Sequence, residues 1–413
     1  MSETLRDEER VLPIHRMEET PVTRPKVLHI VGSSKFGGDS LLVMELCHAA
    51  ADRGYESAVL ATDPIFQRQI MDQGIMLVDL DVIRRSIRPF WDVRAMRRLT
   101  DYLAGADYSL VHTHTSKGGL VGRLAARRAN VPAVMHTVHG FAFHDESGSV
   151  AESFYSGLER LGARWCDRIV TVSEFHRLQA LEHHIGSEDQ IIAIPNGVPN
   201  GRVETLRHRD IIRADLGVGD RFVVLSTGRL AEQKGLEYLI RAVPDTVDAV
   251  PALMVLLAGE GPLHNHLDQL IDELGVRDFV KLLGFRDDVA ELLAAADVVA
   301  LPSLWEGLSI SLLEAMAAGR PVVTTTIASN REVTRDGAVA MLVPPKDSGR
   351  LAFTLRDLAA SPEAREELAA AGQREQLERY SLATMLDQYL DEYDRLTNSP
   401  AHLRGEDRAR RPV

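Results

Sequence analysis

A chain of 413 residues that is 45% hydrophobic and 26% charged sits in the ordinary globular range and is too long for one hydrophobic core, so two domains are expected. Its 60 acidic against 47 basic residues leave a formal net charge of -13, which argues against nucleic acid as the main partner, because neutralising phosphates takes an excess of Lys and Arg. Its cysteines, Cys47 and Cys166, lie far apart in sequence and give neither a disulfide framework nor a metal cluster; buried thiols are expected. No apolar run approaches the roughly 20 residues that span a bilayer.

In chain order, residues 1–25 carry Glu3, Asp7, Glu8, Glu9, Glu18 and Glu19 without an apolar segment, which predicts a flexible leader instead of a secretory signal, and with it a cytoplasmic protein. From Lys26 short apolar runs at 27–31, 58–61, 110–112, 133–138, 169–172 and 191–194 alternate with amphipathic segments such as 41–51, 65–71 and 120–126. That rhythm is the signature of a parallel sheet wrapped by helices, and it predicts a first Rossmann-like domain over 26–200. The loop after the first run ends in Gly37 and Gly38, where paired glycines let a ligand approach the backbone and the following helix offers free N–H groups to an anion. Asp79-Leu80-Asp81 resembles a metal-binding pair of carboxylates but reads as a turn. Arg84, Arg85, Arg88, Arg94, Arg97 and Arg98 crowd around Ile87, Phe90 and Trp91, a basic segment with aromatic anchors. It suits either an anionic membrane surface or a solvated helix face.

Thr115-Ser116-Lys117-Gly118 follows a strand and opens a helix, a seat for an acceptor phosphate in which Lys117 is the cation. His139 closes the run 133–138 and precedes Gly140-Phe141; a cleft residue and a satisfied core histidine both fit that position. The dense turn cluster Pro195-Asn196-Gly197-Val198-Pro199-Asn200-Gly201 predicts the domain boundary and a hinge.

The rhythm restarts over 201–380, with strands expected at 222–225, 253–258, 279–282, 298–301 and 322–325 and a helix after each. The fold class is therefore α/β, with two doubly wound parallel sheets, and ligands are expected outside the carboxyl ends of the strands. Two loops there carry chemistry. Gly228-Arg229-Leu230-Ala231-Glu232-Gln233-Lys234-Gly235 places two cations in one loop-to-helix turn, able to stabilise a diphosphate as it departs. Pro302 to Glu314 holds Glu306 in a loop and Glu314 inside an apolar helical stretch, where a carboxylate is costly without donors such as the hydroxyls of a sugar; the helix start at Gly307, Leu308, Ser309 and Ile310 can receive phosphate. His264-Asn265-His266 lacks the partners that zinc spacing requires. Residues 381–398 form a helix whose stripe of Leu382, Met385, Leu386, Tyr389, Leu390 and Tyr393 must be buried, and 399–413 form a flexible Arg-rich tail.

Several motifs in order resemble glycosyltransferase family 4: Gly37-Gly38, His139-Gly140-Phe141, Pro195-Asn196-Gly197-Val198, Gly228-Arg229-Leu230 with Lys234-Gly235, Gly259-Glu260-Gly261-Pro262, Leu283-Gly284-Phe285, and the E-x7-E motif from Glu306 to Glu314. The resemblance covers nearly the whole chain after Lys26. It implies a GT-B architecture of two Rossmann-like domains facing across a cleft, the helix 381–398 packing back on the first, and retaining transfer from a nucleotide diphosphate-sugar without a metal cofactor. It further implies that Arg229 and Lys234 bind the diphosphate, Glu306 positions the donor sugar and Glu314 holds the ribose hydroxyls. His139 would contact the donor sugar, Gly37 and Gly38 would border donor and acceptor, and Gly284, Phe285 and Arg286 would flank the nucleobase. The sequence departs from the family after Thr324-Thr325-Thr326, where Ala328 and Ser329 stand in place of a pair of glycines.

The implied acceptor is a lipid-linked glycan of cell-surface polysaccharide at the inner face of the membrane, with a small molecule such as an inositol phosphate or an antibiotic aglycone as the alternative. A glycoside hydrolase using Glu306 and Glu314 would have no use for Arg229 and Lys234, and a non-catalytic sugar-nucleotide binder would not need the charged positions intact.

Overall fold

The computed structural model describes residues 24–32, 38–83, 89–141, 143, 148–200 and 208–398. The expected leader up to residue 23, the tail 399–413, Gly37, and Arg84, Arg85 and Arg88 lie outside the described residues.

The first sheet contains β1 (Lys26–Val31), β2 (Glu56–Ala61), β3 (Met76–Leu77), β4 (Leu110–His114), β5 (Ala133–Val138), β6 (Arg168–Thr171) and β7 (Ile191–Ala193), in the order β3-β2-β1-β4-β5-β6-β7. The second contains β8 (Phe222–Thr227), β9 (Leu253–Ala258), β10 (Val280–Gly284), β11 (Val298–Leu301), β12 (Val322–Thr325) and β13 (Met341–Val343), in the order β10-β9-β8-β11-β12-β13. Neighbouring strands pair in parallel throughout both sheets. Every position of β4, β5, β9 and β11 is buried, as expected of central parallel strands covered by helices on both faces. In each sheet the order reverses beside the first strand, between β1 and β4 and between β8 and β11, which opens a crevice at the strand ends.

The helix Leu382–Asn398 returns to the first sheet. Its Met385, Tyr389, Leu390 and Tyr393 are buried against Val27 of β1, Leu110 of β4, Met135 of β5 and Leu42 and Leu46 of the helix Gly38–Asp52. Burying side chains of this size stabilises by about 1.5–3 kcal/mol each before entropy is counted. Arg53 pairs with Asp391 and Asp394 at the rim, and Arg168 with Glu392.

The chain thus crosses between the sheets twice, and the two crossings lie side by side. Val198 N–H donates to Tyr380 O at 3.0 Å and Leu382 N–H donates to Val198 O at 2.9 Å. Gly197 is required there: a Cβ would stand 2.3 Å from the Ser381 carbonyl oxygen. Cys47 and Cys166 are buried free thiols. Among the described residues no helix is long and apolar enough to cross a membrane.

Candidate active site

The second domain builds one wall of the cleft from three strand ends. β8 runs into Gly228, whose φ of 137° lies outside what a side chain tolerates, and its carbonyl oxygen would meet a Cβ on Gly259 at 1.9 Å. The turns after β8 and β9 therefore pass in backbone contact. Lys234 ends a short 3-10 turn, Glu232–Lys234, closed by Gly235 at φ 57°, where a Cβ would lie 2.2 Å from Pro302 O. Leu304 N–H donates to Gln233 O at 2.8 Å, which seals the loop after β11 onto the loop after β8.

That seam brings distant charges together. Lys234 Nζ lies 2.5 Å from Glu306 Oε1, Ser303 Oγ donates to the same oxygen at 2.8 Å, and Gln233 Nε2 donates to Oε2 at 2.9 Å. The Glu306 side chain is only 6% exposed and Lys234 17%, so each charge depends on its partner; removing one would strand the other out of water. Arg229, five residues before Lys234, is exposed and pairs with no carboxylate among the described residues. Glu314 projects from the helix Ile310–Ala317, half-buried, and burial pushes its carboxyl up to about 7 against the opposing pull of Lys234.

The first domain supplies the facing wall from the ends of β4 and β5. His139 and Gly140 follow β5, and a Cβ on Gly307 would stand 1.9 Å from His139 O, so the loop bearing Glu306 touches the end of β5 directly. Between the walls is a cavity of about 410 Å³, lined from the second domain by Gln233, Trp305, Glu306, Gly307 and Ser329 and from the first by His139, Gly140, Thr115, Ser116, Glu159 and His176. Thr115 holds φ 62° and ψ 152°, a strained backbone for a β-branched residue, with its Oγ1 donating to Gly32 O at 3.1 Å. A second contact bridges the domains: the Glu332 carboxylate accepts from Glu174 N–H and Phe175 N–H, at 2.9 and 2.8 Å, at the N-terminus of the helix Glu174–Glu182.

Behind His139 runs a row of buried histidines that sequence reasoning missed. His114 Nδ1 lies 3.1 Å from His139 Nε2, and His114 Nε2 lies 3.3 Å from His29 Nδ1. His112 contacts Tyr393 Oη through Nδ1 at 2.6 Å and Thr137 Oγ1 through Nε2 at 2.8 Å. Burial lowers His29 to about 3 and holds His112 and His114 well below the usual histidine range, so these rings are neutral. The available signal was the register: on parallel strands His29 of β1 faces His112 of β4, and His114 lies two residues further on the same face.

The residues expected from sequence divide into several groups. Glu306, Gly307 and His139 line one cavity, and Lys234 joins it through Glu306. Gly228 follows β8 at φ 137°, and Gly38 opens the helix Gly38–Asp52. Gly284, at φ 69°, accepts from Gly259 N–H at 2.8 Å, so the expected nucleobase loop is tied to the turn after β9. Phe285 beside it is 66% exposed, and Arg286 is held by Asp288 at 2.7 Å through Nε. Leu308 sends its side chain into the hydrophobic core, leaving only its backbone for a ligand. Ser309 Oγ is buried without a hydrogen-bond partner, and Ile310 starts the helix. Lys117 is half-buried in the helix Ser116–Arg128, while its neighbours Thr115 and Ser116 line the cavity. Where the family pattern has two glycines, Ala328 and Ser329 begin the helix Ala328–Val333 and also line the cavity. Gln233 and Ser303, which hold Glu306, are the second omission of the sequence reading.

Two parallel α/β domains with a ligand-sized cleft between their strand ends define the GT-B fold, and the solved structure of Anabaena HepE in complex with UDP and glucose superposes with a TM-score of 0.78 over 90% of this chain and 99% of that one, at 22% identity. The family described as glycosyl transferases group 1 matches residues 208–375, and the glycosyl transferase 4-like domain matches residues 37–197. The chain is 30% identical over 282 residues to the Escherichia coli UDP-Gal:alpha-D-GlcNAc-diphosphoundecaprenol alpha-1,3-galactosyltransferase, covering 67% of this chain and 73% of that protein. It is 33% identical over 304 residues to the Saccharomonospora viridis D-inositol 3-phosphate glycosyltransferase, covering 69% and 70%. The chain belongs to the GT4-type glycosyltransferases.

Proposed function

We propose that this glycosyltransferase moves a sugar, with retention of configuration, from a nucleotide diphosphate-sugar to a lipid-linked glycan in cell-surface polysaccharide synthesis. The observation that carries the donor half is the Lys234–Glu306 pair, buttressed by Gln233 and Ser303 and opposed across the cavity by His139. On this reading the pair is a preformed sugar and phosphate seat. Arg229 and Lys234 take the diphosphate oxygens, Glu306 the sugar hydroxyls, Glu314 the ribose diol, and His139 a sugar hydroxyl beside the reacting carbon. The bond between C1 and the leaving phosphate oxygen breaks with its electron pair on the phosphate, the acceptor oxygen bonds C1 on the same face, and the acceptor proton passes to the departing phosphate. Glu306 positions and does not attack. Two fixed side-chain cations offset the leaving charge, so no metal cofactor is needed. The two adjacent chain crossings at Val198 and Ser381 serve as the hinge of domain closure.

The acceptor half is supported by the relative named for a diphosphoundecaprenol acceptor. Exposed Arg94, Arg97 and Arg98 on the helix Pro89–Gly105 suit an anionic membrane surface at the inner face of the cell membrane. A small-molecule acceptor is the second reading, favoured by the inositol 3-phosphate relative. Incubation with uridine, guanosine and adenosine diphosphate sugars, and with either a polyprenyl-diphosphate sugar or soluble acceptors, decides between them. Transfer to the lipid acceptor alone supports the first; transfer to inositol phosphate alone replaces it. Release of sugar from a simple glycoside without nucleotide refutes both.

A further inference from the structure

The helix Ser149–Ala163, which follows β5 in the chain, has two faces of opposite character. On one, Ser156, Glu159, Gly162 and Ala163 are buried; Ala163 joins the first-domain core, and Glu159 lines the cavity and pairs with the fully buried Arg123 at 2.9 Å. Gly162 makes room for that pair, since a Cβ there would stand 2.4 Å from the Arg123 guanidinium carbon. These contacts fix the rotation of the helix about its own axis.

That rotation turns an apolar line to the outside. Val150, Phe154 and Leu161 fall at i, i+4 and i+11, on one side of a helix of 3.6 residues per turn, and are 83%, 55% and 39% exposed. Exposed Arg160 and Arg164 flank the line. The acidic residues of the helix point elsewhere, Glu152 beside His183 at 3.5 Å and Glu159 to Arg123. Single exposed apolar side chains are ordinary, whereas a line of them edged only by arginines marks an interaction surface.

Neighbouring helices extend the positive charge. The helix Pro89–Gly105 packs on Ser116–Arg128, which packs in turn on Ser149–Ala163, and all three contribute to the core that covers one side of the first sheet, while the helix Leu382–Asn398 covers the other. Among the described residues this layer exposes Arg94, Arg97, Arg98, Arg128, Arg160 and Arg164 against Asp101 and a half-buried Glu152, in a chain whose net charge is -13. A second copy docked face to face would set these arginines against one another. An anionic lipid surface complements both the charge and the apolar line.

We propose that this three-helix layer docks on an anionic bilayer, with Val150, Phe154 and Leu161 inserted at headgroup depth and the six arginines on lipid phosphates. The proposal deepens the lipid-linked acceptor of the proposed function and rests on it for its purpose. Glu159 lines the cavity from the inner side of the same helix, so docking sets the cavity about one helix diameter, ~10 Å, from the headgroups, within reach of a sugar whose diphosphate stays at the membrane surface.

The test is co-sedimentation of the full chain with vesicles of phosphatidylglycerol and phosphatidylcholine in equal parts, and with phosphatidylcholine alone. Wild type should bind the anionic vesicles at least roughly 10-fold more tightly, with the difference shrinking as salt is raised. Phe154→Glu combined with Leu161→Glu should lower that binding roughly 10-fold although every arginine remains, and Arg160→Gln combined with Arg164→Gln should lower it by a similar factor on anionic vesicles alone. Both variants change exposed positions, so circular dichroism and thermal protection by nucleotide sugar should match wild type. Phe154→Trp should be quenched by lipids brominated on their acyl chains beyond the quenching that Trp91, Trp165 and Trp305 give in wild type. Wild type that binds neither vesicle, or anionic binding that the Phe154 and Leu161 substitutions leave unchanged, overturns the proposal, as does a wild-type dimer in light scattering that those substitutions dissolve. Vesicle binding is read without turnover: binding together with transfer to inositol phosphate alone would leave the docking standing and remove the lipid acceptor, whereas transfer to a polyprenyl-diphosphate sugar in detergent without vesicle binding would do the reverse.

Discussion

The two walls of the cleft are built from different materials. The second-domain wall is charged and local: Lys234, Glu306, Gln233 and Ser303 come from two short loops stitched by a single backbone hydrogen bond, and their charges are nearly buried. The first-domain wall is a row of rings, His29, His114 and His139, drawn from β1, β4 and the end of β5, of which burial keeps His29 and His114 uncharged. On the proposed function the contrast matches the substrate. Fixed cations face the group that gains negative charge, while the His139 imidazole faces the sugar hydroxyls.

The sharpest way to break the comparison is Lys234→Ala. It should lower turnover by about 10²–10³-fold, because it removes a cation from the leaving group, with circular dichroism showing the fold retained and the unfolding transition lowered by the stranded Glu306 carboxylate. Gly307→Ala is expected next. Its Cβ would stand 1.9 Å from His139 O, so the walls must separate, and kcat should fall by about 10²-fold while unliganded stability changes little. Arg229→Ala should weaken donor binding by roughly 10-fold, seen as a rise in KM, since Arg229 is exposed and supports no other charge among the described residues.

Glu314→Gln gives the smallest effect and the one with a pH signature. The folded carboxyl is raised to about 7, so between the ordinary carboxylate range and that value the folded state holds a proton that the unfolded state has lost, and stability falls as pH rises through that window. The Gln variant should therefore melt roughly 2 °C higher than wild type at pH 8 and match it at pH 5, in differential scanning calorimetry, while binding nucleotide sugar less well. Equal melting of the two proteins at both pH values would show that Glu314 is not desolvated.

Legibility followed the same division. The strands at 133–138, 253–258, 298–301 and 322–325 were readable to the residue because each is a short run, rich in Val, Leu, Ala or β-branched residues, set off by turn or charged residues. β3 and β13 were not, since two- and three-residue edge strands carry no period. Lys234, Glu306 and Glu314 stood out as charges at strand ends or within apolar sequence. Gln233 and Ser303 did not, because their role depends on which loop touches which. The histidine row required the register of three strands, and only after β4 was seen to reach His114, two residues beyond the expected run, did His29 and His139 become neighbours of one ring.

The central claim is that Lys234 and its partners seat a nucleotide diphosphate-sugar, and thermal protection tests it most directly. The full chain and Lys234→Ala are melted with saturating uridine, guanosine or adenosine diphosphate sugars, because a ligand that binds only the folded state raises its melting temperature. The account predicts that sugars of one base raise the wild-type transition by several degrees and that the shift largely disappears in Lys234→Ala. Protection of equal size in both proteins, or none in the wild type with any of the three, would contradict it.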